Sequence, residues 1–128
     1  GSKEGIIKGM PVTQNKYLIG RIVETNYLSS RVLLLNDLNS RIPVTFDEKS
    51  TQAILTGRGS RNPKLDYLPE GYQFIDGITV FASGKDGIFN AGTPIGKTKE
   101  NGDVDLFVDP NQLSFVTVNL VKPTKEVF

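Results

Sequence analysis

No stretch of about 11 residues or more repeats its apolar side chains at helical spacing. Short runs rich in Val, Ile, Leu and Phe are instead separated by Gly, Pro, Asn and Asp. Such runs suit strands, where branched and aromatic side chains pack on a pleated surface. Thirteen glycines and seven prolines fall mostly between the runs, where they cap strands and would break helices. The pattern predicts strands near residues 10–13, 17–24, 31–36, 41–46, 52–56, 64–67, 79–83, 96–99, 104–108 and 115–121. About ten short strands at this spacing point to an all-β barrel or sandwich. Only Asp109-Pro110-Asn111-Gln112 suits a helical turn.

Local chemistry places the turns. Asn101-Gly102 is the dipeptide a type I′ hairpin prefers, since both central residues need positive φ. On the exit strand Val104, Leu106 and Val108 alternate with Asp105 and Phe107, so Phe107 is expected on the wetter face. Residues 36–40, Asn-Asp-Leu-Asn-Ser, form a second turn. The stretch 57–63 is glycine-rich, basic and ends in Pro63, which makes it the best internal boundary. It divides the chain into β subdomains at 5–62 and 63–122, flanked by a tag or linker remnant at 1–4 and a tail at 123–128. Subdomains of roughly 60 residues are marginal alone, so they should share an interface.

Composition narrows the chemistry. The chain has 128 residues, enough for one ordinary domain or two very small ones. It has no Cys and no His. That removes disulfides, thiolate nucleophiles, the commonest general base and the commonest metal ligand. The net charge of +1 gives little drive toward nucleic acid. No apolar run approaches the roughly 20 residues of a membrane helix, and no signal peptide is visible. Gly1-Ser2 reads as a protease scar, so the chain is expected to be a piece of a longer protein.

Four constellations suggest chemistry, and each has a plainer explanation. Residues 91–98, Ala-Gly-Thr-Pro-Ile-Gly-Lys-Thr, loosely fit a phosphate loop. That loop needs a following helix, however, and the hairpin turn follows here. Asp103, Asp105 and Asp109 lack the glycine and glutamate of a calcium loop, and alternation sets them on the solvated side. Ser83 near Lys85, or Ser60 near Lys64, could form a Ser–Lys dyad, but this needs a desolvated lysine. Arg58, Arg61 and Lys64 could touch a single nucleic-acid strand, or they simply solubilise a loop. No cofactor and no metal is expected.

Several segments then carry a family likeness. Residues 17–24, Tyr-Leu-Ile-Gly-Arg-Ile-Val-Glu, resemble the GLVGRVVEV opening of the bacterial rod shape-determining MreC family. Residues 30–35 followed by 39–44 are similar to its RVLLLTDPNSRVPV stretch, which 53–60 continue. Residues 65–69 resemble its LEYLP segment, and 83–96 resemble TSGLDGVFPPGLPVG. The ordered likeness runs from about Gly5 to Val121. Leu38, Asn90-Ala91 and Phe81-Ala82 depart from the pattern.

The likeness implies two small six-stranded-type β-barrels packed together, similar in shape to chymotrypsin-like barrels but without catalytic residues. It implies a region on the periplasmic side of the inner membrane, anchored by an N-terminal helix. It also implies a non-enzymatic scaffold that binds a class B penicillin-binding transpeptidase, MreB, MreD and RodA, and that self-associates. Within this frame the apolar crowd between Leu65 and Phe89 stands out. Tyr67, Leu68, Phe74, Ile75, Phe89 and Phe107 are the candidate contact residues, and charging Leu68 or Phe89 should weaken binding without unfolding. Arg31 and Arg41 should be structural, pairing with Asp37 or Glu48. A Ser–Lys hydrolase and a nucleic-acid-binding barrel are the rival readings.

Overall fold

The computed structural model describes residues 2–6, 8–85, 92–112 and 117–118. Among the described residues there are ten strands: β1 Pro11–Gln14, β2 Tyr17–Thr25, β3 Ser30–Leu34, β4 Arg41–Phe46, β5 Thr51–Arg58, β6 Arg61–Asp66, β7 Thr79–Ala82, β8 Pro94–Thr98, β9 Val104–Leu106 and β10 Thr117–Val118. Single 3-10 turns lie at Ser2–Glu4 and Pro110–Gln112. The expected strand at 115–121 lies outside the described residues except for its two β10 positions.

The strands form two antiparallel sheets. One has four strands in the order β10-β1-β2-β3, and the other has six in the order β6-β5-β4-β7-β8-β9. The six-stranded sheet curls until its edges meet. Lys64 bridges Asp103, and the Leu65 amide donates to the Gly102 carbonyl at 2.9 Å. The result is a nearly closed barrel. Closure removes the exposed backbone edge that an open sheet would offer.

Alternation explains which side chains fill it. Ile42, Val44 and Phe46 of β4, Ala53 and Leu55 of β5, and Val80 and Ala82 of β7 point inward with Leu65, Ile95 and Val104. Leu18 of β2 and Leu35 after β3 join this cluster, so the two sheets share a core. Met10, Val12, Ile19 and Ile22 make a second, smaller cluster. Burying each such Leu, Ile or Val contributes about 1.5–3 kcal/mol relative to exposure.

The structure revises several expectations. The connection from β3 to β4 passes from the four-stranded sheet to the six-stranded one, and the chain returns to the four-stranded sheet at β10. Residues 57–63 form the tip of the β5–β6 hairpin, where Gly59 alone takes positive φ, at 76°. The Asn101-Gly102 turn is a three-residue loop, not type I′. Only Gly102 has positive φ, at 90°, and its amide donates to Lys99 O at 3.0 Å. A type I turn followed by a left-handed glycine closes a hairpin equally well.

Arg31 pairs with Glu24 at 3.8 Å, and Arg41 Nη1 donates to the carbonyls of Leu38 and Ser40, each at 3.0 Å. Cross-strand and turn neighbours capture these guanidiniums before Asp37 or Glu48 can. Asp103 is half-buried against Arg58 instead of lying on the wet side.

Candidate partner-binding surface

The segment 67–78 joins β6 to β7 without strand structure of its own. Tyr67 opens it with φ at 64° and is 83% exposed. Leu68 turns inward and packs on the barrel core, as do Tyr72, Phe74 and Ile78. Ile75 points outward and is 68% exposed. The loop therefore sends apolar side chains both ways: some plug the barrel end, and Tyr67 and Ile75 face solvent.

The plug is aromatic. Tyr72 stands edge-on to Phe46 and Phe74, with ring centres 5.7 and 5.1 Å away. Phe74 also lies over Gly102, where an added Cβ would crowd its ring. Thr98 holds the far end of the loop: its hydroxyl donates to Ile75 O at 2.5 Å and accepts from the Ile78 amide at 3.0 Å.

Asp47 holds the middle. Its carboxylate sits in the β4–β5 turn and accepts from the Tyr72 hydroxyl at 2.9 Å and the Thr51 hydroxyl at 2.6 Å. Burial alone would raise its pKa, but hydrogen bonds from Thr51, Tyr72 and the amides of Thr51 and Lys49 lower it below the usual carboxylate value. Burial raises the Tyr72 phenol, and the adjacent Asp47 carboxylate raises it further. Between turn 47–49 and loop 72–78 runs an open groove of about 650 Å³, with Ile75, Ile78 and Phe81 among its lining residues.

Four of the six candidates thus fall in one loop, in two roles. Tyr67 and Ile75 are presented, whereas Leu68 and Phe74 are largely structural. Leu68 is partly buried against the core, so a charge there would meet apolar neighbours. Phe107 lies elsewhere, with its ring 4.7 Å from that of Tyr17 on β2. Phe89 lies outside the described residues. Tyr27, Leu28 and Leu38 are also exposed, beyond the six candidates. Their signal was available: each is an apolar residue set inside a polar turn.

Several members of the catalytic and basic constellations have structural partners. Ser83 Oγ accepts from the Lys85 amide, and the Lys85 side chain is exposed. Residues 94–98 are strand β8, and the Thr98 hydroxyl is committed to the loop. Arg58 pairs with Asp103, and Lys64 Nζ lies 3.3 Å from Asp66. Among the described residues no group of three His, Cys, Asp or Glu could hold a metal ion. No described helix is long and apolar enough to cross a membrane.

Comparison with known proteins decides the family. The model of the family described as "Rod shape-determining protein MreC, barrel core" matches residues 1–120. The chain belongs to the MreC family. A relative named cell shape-determining protein MreC from Caulobacter vibrioides is 41% identical over 126 residues, which is 95% of this chain and 36% of the relative. A second, from Cereibacter sphaeroides, is 35% identical over 122 residues, covering 92% and 41%. The chain therefore spans well under two thirds of the curated relatives it matches.

Solved MreC structures share the fold. MreC from Listeria monocytogenes superposes with a TM-score of 0.79 at 31% identity, covering 92% of this chain and 63% of that one. At 17% identity, the fold alone is shared with a chain of the complex between penicillin-binding protein PBP2 and MreC from Helicobacter pylori. Its TM-score is 0.68, with 85% and 75% coverage. At 22% identity it is shared with the major periplasmic domain of the cell shape-determining filament MreC, with a TM-score of 0.69 and coverage of 85% and 75%.

Proposed function

We propose that this MreC-family chain is the partner-binding β region of a non-enzymatic cell-shape scaffold on the periplasmic side of the inner membrane. It binds a class B penicillin-binding transpeptidase. In the whole protein it connects this enzyme to RodA, MreD and MreB, and it self-associates. The membrane anchor lies N-terminal to the β region.

The observation that carries the reading is the 67–78 loop. Two large apolar side chains, Tyr67 and Ile75, face water from a segment clamped onto a nearly closed barrel. Ordering such side chains in advance lowers the entropic cost of association. Apolar and aromatic anchors of this type dominate binding energies at protein interfaces. Relatives are named cell shape-determining proteins, and a chain of this fold has been solved with PBP2. Both facts favour a protein partner over a small substrate. Among the described residues β3 is the last strand of its sheet, which offers a second place for strand pairing.

The experiment is a titration of the purified domain against the periplasmic part of penicillin-binding protein 2 from the same organism. Sedimentation of the domain alone runs alongside it. Saturable binding supports the reading, and no binding at concentrations up to about 1 mM, the weak end of specific association, overturns it.

A further inference from the structure

The Asp47 carboxylate does two separate jobs. Oδ1 accepts from the Lys49 amide at 2.8 Å and the Thr51 amide at 3.3 Å, which shapes its own turn. Oδ2 takes the hydroxyls of Thr51 and Tyr72. The bond to Tyr72 spans 25 positions in the chain and ties turn 47–49 to loop 67–78. These two segments are the walls of the groove beside Ile75, Ile78 and Phe81.

The Tyr72 ring is already held by Phe46 and Phe74. Its hydroxyl therefore fixes orientation more than it adds burial. Tyr67 sits in the left-handed region, at φ 64°. A non-glycine residue keeps such a backbone only where its surroundings over-determine it. The presented side chains Tyr67 and Ile75 are too exposed to supply that constraint.

We propose that Asp47 and Tyr72 form a latch that holds the 67–78 loop in its partner-competent shape, making both positioning residues for binding and not contact residues. This rests on the reading that the loop meets the partner. The physical effect is on populations. A loop that is competent only a fraction of the time binds more weakly by that fraction. A hydrogen bond to a charged acceptor is strong enough to set the fraction within about a factor of ten.

Two variants separate the latch from the turn. Asp47→Asn keeps an oxygen for the backbone amides and tolerates positive φ, but offers an amino group where Oδ2 accepted two hydroxyls. Tyr72→Phe removes the hydroxyl and leaves the ring and the net charge unchanged. Hydrogen exchange at residues 67–78 and affinity for the penicillin-binding protein 2 ectodomain are measured for wild type, both variants and the double variant.

The latch predicts that loop amides exchange about tenfold faster in each variant, with protection elsewhere unchanged. It predicts that Kd rises about tenfold in each and that the double variant is no worse than the weaker single one. Unchanged loop protection overturns the latch. A loosened loop with unchanged Kd overturns its role in binding. If wild type itself fails to bind, the partner reading falls, and the exchange data still decide whether the latch exists.

Discussion

Arg58 Nη2 lies 2.7 Å from Asp103 Oδ1, and the two side chains are only 20% and 18% exposed. Arg58 ends β5 and also donates from Nε to Asn62 O at 2.7 Å. Asp103 sits just before β9, at the bridge to β6. The pair therefore fastens the seam where the barrel closes.

Removing one partner strands the other in a mostly dry place. Asp103→Ala should lower unfolding free energy by about 2–3 kcal/mol, less than for a fully buried pair because some water reaches it. Urea unfolding measures this. A change under about 0.5 kcal/mol, within ordinary surface effects, would show that the seam does not depend on the pair.

Gly57 lies where β5 crosses the connection between the sheets. Its amide donates to Ser40 O at 3.0 Å, and a Cβ built there would overlap the Asp37 carbonyl. Gly57→Ala should cost about 2–3 kcal/mol, as overpacking against backbone does. Gly71→Ala meets nothing within 4 Å but has φ at 77°, so it should cost only about 1 kcal/mol of backbone strain. Thermal unfolding of the two variants gives the order directly.

The sequence reading and the structure part at long-range contacts. The sequence places the strand at Arg41–Phe46 to the residue, because its turns and apolar alternation are local signals. The tip at 57–63 reads as an internal boundary because Gly59 and Pro63 suit boundaries and hairpin tips alike. The Asp47–Tyr72 bond was invisible, since nothing local to either residue marks a partner 25 positions away. Phe74 is a contact candidate in the sequence, where nothing local shows that Phe46 and Gly102 pack against its ring.

The same bond gives a pH window. Asp47 titrates below its ordinary 3.8, so its contribution is present above that value and is lost as pH falls through the folded pKa. Tyr72 titrates above its ordinary 10.0, so its contribution is present below 10.0 and is lost as pH rises through the folded value. The effect is modest because water reaches the carboxylate. The Tm difference between wild type and Asp47→Asn should be constant near neutrality and shrink below pH about 3.8. A difference that persists unchanged to pH about 2, well below the carboxylate range, would contradict this.

Core and surface roles within the loop separate by substitution. Phe74→Ala should destabilise the domain by about 3 kcal/mol or more, as truncating a packed aromatic does. Tyr67→Glu and Ile75→Glu alter exposed side chains and should each stay within about 0.5 kcal/mol of wild type. Chemical denaturation of the three variants checks the split.

The most direct test is calorimetric titration of the penicillin-binding protein 2 ectodomain with wild type and with the Tyr67→Glu/Ile75→Glu double variant. Presented apolar anchors predict that the double variant binds at least about thirtyfold more weakly, roughly 2 kcal/mol, with its melting temperature preserved. Equal affinity for the two proteins would show that the partner meets some other face.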